Sequence, residues 1–198
     1  MTMPRRPVRG SQIFGAVLLQ ETVGTIAVVD LKGFTRMTAE LSPLDLGVVL
    51  GHYYSFAERI IQENDGRLVK FMGDAVLGAW LSTDVAGHKK LALAAVAQAL
   101  KEKPGWMADN QKGGMPPLDF TIASAAGAVL AGQIGTPRNR TFDVLGAPVN
   151  TAVRLVDVAE ARGMDHLLAL AEPDPGCIEV EGVEIAGKLT RLYRLAGA

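Results

Sequence analysis

Residues 43–81 constrain the fold more than any other stretch of this chain. Leu46, Val49, Leu50, Tyr53, Tyr54, Phe56, Ala57, Ile60 and Ile61 recur at helical spacing and form one apolar face. Ser42 supplies an N-cap and Pro43 fits the first turn. Asn64-Asp65-Gly66 ends the helix near Glu63 and turns the chain into an extended run, residues 67–72. Gly73-Asp74 then makes a tight hairpin into a second run, residues 75–81. Upstream, residues 25–30 are β-branched and apolar on both faces, which predicts a central strand.

The rest of the chain continues the alternation. A second helix, rich in Ala and Leu, is predicted from about residue 84 to 102. Residues 103–117 mix Pro, Gly and polar residues and read as a surface loop. Two strands follow, residues 119–125 and 128–134, joined at Gly127 in a tight hairpin. Residues 139–145 read as a short strand or arm. Pro148 opens a third helix that carries Asn150 and Arg154 and ends before Gly163. Residues 180–185 and 189–195 complete the sheet. The order β-α-β-β-α-β is the ferredoxin-like split pattern, so the expected class is α+β with a ferredoxin-like βαββαβ core and C-terminal extensions.

Residues 1–24 are read as a partly disordered N-terminal extension and residues 25–198 as one domain. Arg5, Arg6 and Arg9 precede a short apolar run, but Gln20-Glu21 follows it without a small-x-small cleavage site. No run approaches the ~20 apolar residues that span a bilayer. With 20 basic and 21 acidic residues the net charge is −1, which gives no global attraction to nucleic acid or anionic membrane. Cys177 is the single cysteine, so no internal disulfide forms and a reducing, cytoplasmic setting is expected. His52, His88 and His166 lack metal-ligand spacing and read as ordinary histidines on helices or their edges.

Two aspartates carry the chemistry. Asp30 ends an apolar strand and precedes Leu31-Lys32-Gly33-Phe34-Thr35. Asp74 follows Lys70-Phe71-Met72-Gly73 and opens the next apolar strand. Taken singly, Asp30 reads as a turn residue and Asp74 as a hairpin acid. Taken together, carboxylates at neighbouring strand ends beside a Gly-containing turn suit two hard cations and a polyphosphate. A third segment, Phe142-Asp143-Val144-Leu145-Gly146-Ala147-Pro148-Val149-Asn150-Thr151-Ala152-Val153-Arg154, adds an acid, an amide and an arginine at fixed spacing. Asn150 and Arg154 stand one helical turn apart and share a face.

These three segments together resemble the catalytic domain of class III nucleotide cyclases, over roughly residues 25–194. The resemblance implies two Mg2+ or Mn2+ ions per active site, held by Asp30 and Asp74. It implies that Gly33, Phe34 and Thr35 lie in the loop that receives the β- and γ-phosphates. Lys70 and Asp143 match the purine-reading positions. A lysine only donates and a carboxylate only accepts, which fits the adenine edge and mismatches guanine. Asn150 matches the residue that orients the ribose. Arg154 matches the one that meets charge developing on the α-phosphate and pyrophosphate. Family members often carry a second phosphate-binding lysine before a glycine near the C-terminus. Here Ala186 precedes Gly187, and Lys188 is the expected substitute.

The resemblance also implies a dimer. Lys70 and Asp74 flank one hairpin tip, too close together to reach both the base and the triphosphate of one nucleotide. In the family one subunit supplies the metal aspartates and the other supplies the base-reading and transition-state residues. One chain here carries the whole set, so a homodimer with two sites is expected. The expected function is an adenylate cyclase, a lyase converting ATP to 3′,5′-cyclic AMP and pyrophosphate. The alternatives are a cyclase acting on GTP or a pyrimidine nucleotide, or a degenerate cyclase-like domain that binds nucleotide or only dimerises. A diguanylate cyclase would show a Gly-Gly-acid-acid-Phe stretch, which the sequence lacks. The first 24 residues are too few for a sensor domain, so control is expected from a partner, ions, pH or expression.

Overall fold

The central strand β1 (Leu19–Leu31) organises the molecule, because its side chains are buried alternately in two separate cores. Ala27, Val29 and Leu31 face one side and Ile26 and Val28 the other. The computed structural model describes residues 19–136, 138–172 and 174–197. After β1 come α1 (Phe34–Glu40), α2 (Pro43–Glu63), β2 (Arg67–Met72), β3 (Ala75–Leu81), α3 (His88–Lys112) and β4 (Phe120–Thr136). Then follow β5 (Asn139–Leu145), α4 (Ala147–Ala161), β6 (His166–Ala169), β7 (Cys177–Ile185) and β8 (Lys188–Leu195).

The strands form one sheet in the order β2-β3-β1-β4-β6-β8-β7, with β5 paired to β4. Its first four strands, with α2 and α3 as the crossovers, make the expected βαββαβ core. α2 and α3 cover the face of Ala27 and Val29, where Tyr53, Phe56, Ile60, Ala92 and Val96 are buried. α4 covers the opposite face with Ala152, Leu155, Val156 and Ala159. The α2 helix starts as its sequence dictates: the Asp45 N–H donates to the Ser42 side chain at 3.2 Å, with Pro43 at the first turn.

Several expectations change. β1 begins at Leu19, six positions before the expected 25, because residues 19–24 pair with the far half of β4. The reading of residues 1–18 lies outside the described residues. The hairpin at Gly127 does not exist. β4 is one continuous strand, and Gly127 lies opposite Gly24 of β1, which is long enough to pair both apolar runs. α3 starts at His88 and continues through Pro104 to Lys112, where a loop was expected. Pro104 forfeits a helical bond to the Leu100 carbonyl. Tertiary contacts offset that loss: Trp106 packs 4.9 Å from Phe56 and 5.6 Å from Phe120, ring centre to ring centre.

Two short elements were also unread. Phe34 to Glu40 coils into α1, and β6 runs parallel to β4 with its residues buried. His166 therefore lies on a strand, not on a helix edge. Its Nε2 accepts from the Leu195 N–H at 2.8 Å, and burial holds its pKa below the ordinary histidine value. β7 begins at Cys177, three residues before the expected 180. No helix among the described residues is long and apolar enough to cross a membrane.

Candidate active site

Asp30 and Asp74 meet where three strands end. Asp30 lies opposite Ala75 of β3 and Thr121 of β4. The Leu31 N–H donates to the Asp74 carbonyl at 3.0 Å, which joins the two aspartate segments through their backbones. By strand alternation the Asp30 side chain points to the α4 face, with Ile26 and Val28. Burial pushes its carboxyl up to about 7, and the neighbouring charges of Asp74, Glu160 and Asp157 add to the rise. The charges that act on it most are all carboxylates. Glu160 is itself held by the Thr121 hydroxyl at 3.3 Å.

A half-buried carboxyl facing other carboxylates is a donor set that fits a hard divalent cation. Among the described residues no group of three or more His, Cys, Asp or Glu gathers as a closed metal site. Two aspartates leave coordination positions open, which suits ions that arrive with phosphate oxygens and water.

Two glycines shape the adjoining backbone. Gly73 turns the β2–β3 hairpin at φ 68° and Gly33 precedes α1 at φ 75°, both in the left-handed region that favours glycine. α1 has no side-chain cap. The N–H groups of Phe34 and Thr35, at its first turn, have no carbonyl one turn back to bond. The residue between Asp30 and this turn is anchored from below. The Lys32 N–H donates to the Asp119 carbonyl at 2.8 Å, and Lys32 Nζ reaches Asp119 at 3.0 Å and Asp165 at 2.8 Å.

Lys103 Nζ, from the part of α3 read as loop, bonds the same carboxylates at 2.5 and 2.8 Å and the Phe120 carbonyl at 2.9 Å. Burial would raise Asp119 and Asp165, yet the hydrogen bonds from Lys103 and Lys32 hold both below the usual carboxylate range. Sequence reasoning missed this cluster. Its members are far apart in the chain, and no local spacing joins them.

The fold brings Lys70 and Asp143 together. Lys70 Nζ lies 2.8 Å from Asp143 Oδ2, joining β2 to β5. The second oxygen, Oδ1, accepts from the Val144 N–H at 2.8 Å, which fixes the carboxylate plane. A bulge between Leu68 and Lys70 displaces the β2–β3 register just before the lysine. Beside the pair, the Arg67 guanidinium lies 4.3 Å over the Phe142 ring.

Asn150 and Arg154 project from the exposed side of α4, whose first turn holds Pro148. Among the described residues neither side chain has a hydrogen-bond or ion-pair partner. Lys188 opens β8 directly after the Ala186-Gly187 turn, in which Ala186 takes a left-handed φ of 52°. With Gly127, Pro148 and Thr151 it lines an open depression of about 460 Å³ on the α4 side. The fold thus places Asn150, Arg154 and Lys188 on one side of the sheet. It brings Lys70 to Asp143.

Tyr53 and Tyr54, read from the sequence only as members of an apolar helix face, also reach this region. Their hydroxyls bond the backbone carbonyls of Val29 and Gly73.

Comparison with known proteins agrees with this architecture. Residues 19–165 match the family model described as the adenylate and guanylate cyclase catalytic domain. Protein Rv1320c of Mycobacterium tuberculosis is 28% identical over 156 residues, which is 79% of this chain and 26% of that protein. The chain therefore spans about a quarter of the length of that relative. Among solved structures, the adenylyl cyclase CyaB of P. aeruginosa superposes with a TM-score of 0.77 at 21% identity, covering 91% of this chain and 96% of that one. The guanylyl cyclase Cya2 gives 0.76 at 21% identity, covering 90% and 93%. The fold likeness does not separate the two bases. On the family match over most of its length, the chain belongs to the adenylate and guanylate cyclase catalytic domain family.

Proposed function

We propose that the chain is a cytoplasmic adenylate cyclase that forms 3′,5′-cyclic AMP and pyrophosphate from ATP, at two composite sites of a homodimer. The observation that carries the choice of base is the Lys70–Asp143 ion pair. Adenine presents an acceptor at N1 beside an exocyclic amine donor. A lysine donor held beside a carboxylate acceptor matches both, whereas the edge of guanine has the opposite polarity.

Asp30 and Asp74 would hold two Mg2+ or Mn2+ ions, which when bound supply Lewis acidity for the ribose 3′-hydroxyl and charge neutralisation for the triphosphate. The chain's own groups do the rest. Phe34 and Thr35, with Gly33 before them, offer free backbone N–H groups and close backbone approach to the β- and γ-phosphates. Lys188 contributes a further cation to the phosphates. Asn150 orients the ribose so that its 3′-oxygen lies in line with the α-phosphorus. Arg154 donates to oxygens of the α-phosphate and the departing pyrophosphate, where negative charge grows in the transition state.

The surface supports a second copy as the partner. Exposed apolar side chains flank the substrate-reading residues: Phe71 beside Lys70, Leu145 near Asp143 and Val153 beside Arg154. Exposed apolar side chains near these residues suit burial against another subunit. The test is to incubate purified protein with ATP, GTP, CTP or UTP plus Mn2+ and identify the products by mass spectrometry. Cyclic AMP from ATP is the expected dominant product. Dominant cyclic GMP would overturn the base assignment, and no cyclic product from any nucleotide would overturn the enzyme assignment.

A further inference from the structure

Consecutive helical residues project about 100° apart, so neighbours on α2 meet different surroundings. Tyr53 points inward and is fully buried. Its hydroxyl donates to the Val29 carbonyl at 2.7 Å. Tyr54 points along the sheet edge, and its hydroxyl donates to the Gly73 carbonyl. Val29 is the residue before Asp30, and Gly73 is the residue before Asp74. Two adjacent phenols thus each hold the peptide group that leads into one of the two aspartates.

The surrounding contacts make α2 a firm support. The Tyr54 ring stacks on Phe71 with centres 4.2 Å apart and planes 25° from parallel. The two tyrosine rings lie 5.7 Å apart. Trp80 Nε1 donates to the Asn64 carbonyl at 2.7 Å and pins the C-terminal end of α2 to β3. On the far side the Leu31 N–H bonds the Asp74 carbonyl, so both aspartate segments are tied to each other as well as to the helix. Gly73 has no side chain with which to hold its own left-handed turn. Packing alone asks only for an aromatic ring at these positions, which phenylalanine would supply. The hydroxyls need another reason, and each one ends on the residue before a candidate metal ligand.

We propose that Tyr53 and Tyr54 are positioning residues that set the separation and direction of the Asp30 and Asp74 carboxylates for metal binding. The inference rests on the reading of those aspartates as the metal ligands. Neither tyrosine touches the metal; each acts through a backbone carbonyl. Outer groups that orient ligands typically change metal affinity by about 10- to 100-fold when removed.

The decisive variant is Tyr54→Phe, which keeps the ring on Phe71 and removes only the donor. Metal-free wild type, Tyr54→Phe, Tyr53→Phe, Asp30→Ala and Asp74→Ala are titrated with Mn2+ alone, and free Mn2+ is read by electron paramagnetic resonance. Thermal melting of each metal-free protein is recorded beside the titration. The expected result is Mn2+ binding by wild type, its loss in both aspartate variants, and an apparent dissociation constant raised about tenfold in Tyr54→Phe at an unchanged metal-free melting temperature. Tyr53→Phe shows the same weakening, with some loss of melting temperature because its hydroxyl is buried. Wild-type affinity in Tyr54→Phe, with binding lost in the aspartate variants, overturns the positioning role alone. Undiminished binding in the aspartate variants overturns the ligand assignment and the positioning role with it.

Discussion

Asp30 bears the largest electrostatic burden among the candidate site residues. Its carboxyl is raised to about 7 by burial first, then by Asp74, Glu160 and Asp157. A raised carboxyl means that the folded state holds a proton which the unfolded state releases. Stability from this group is therefore fully present below the ordinary carboxylate pKa of 3.8 and is lost as pH rises through about 7. Metal-free Asp30→Asn should accordingly be more stable than wild type at pH 8, and the difference should shrink to nothing near pH 4. Urea unfolding of both proteins across that range checks this, and parallel pH profiles would contradict it.

At this scale the sequence was legible where a residue stands at a fixed place in a motif that resembles a known family. Lys70 and Asp143 are 73 positions apart, yet each was recognisable by its place in a motif, and the fold joins them at 2.8 Å. The tyrosine hydroxyls were not legible, because helical periodicity reports the ring and is silent about its polar tip.

The C-terminal half of α3 shows how tertiary contacts override local signals among elements. Pro104, with glycines and polar residues downstream, argues for a loop. The structure keeps the helix because Trp106 packs between Phe56 and Phe120, and because Lys103 has its carboxylate partners at the start of β4 and beside β6. Those same carboxylates anchor Lys32, so this end of α3 supports the loop after Asp30.

Lys103→Met should destabilise the protein by about 2 kcal/mol, less than the 3–5 typical of a broken buried pair, since Asp119 and Asp165 keep solvent and Lys32. A lower urea midpoint with unchanged m-value would show it, and an unchanged midpoint would mean that the aromatic packing alone holds the helix. Long periodic elements such as α2 were legible to the residue. β6 was not, because four buried residues carry no period, and the hairpin at Gly127 was misread because a glycine inside a long paired strand looks locally like a turn.

At the scale of the whole molecule, one chain carries both the acidic and the basic residues of the candidate site. The charges that act most on Asp30 are all carboxylates, Lys70 is engaged with Asp143, and Arg154 has no partner among the described residues. In the proposed homodimer, a two-fold axis would bring the acidic half of one chain to the basic half of the other and make two equivalent sites. The most direct measurement mixes Asp74→Ala protein with Arg154→Ala protein under conditions that let subunits exchange, with tagged chains to verify heterodimers. Each variant alone should be inactive. In the mixed dimer one site receives both lesions and the other receives none, so random exchange should restore about a quarter of wild-type cyclase activity by the symmetry of the interface. Verified heterodimers that stay inactive would contradict a site shared between two subunits.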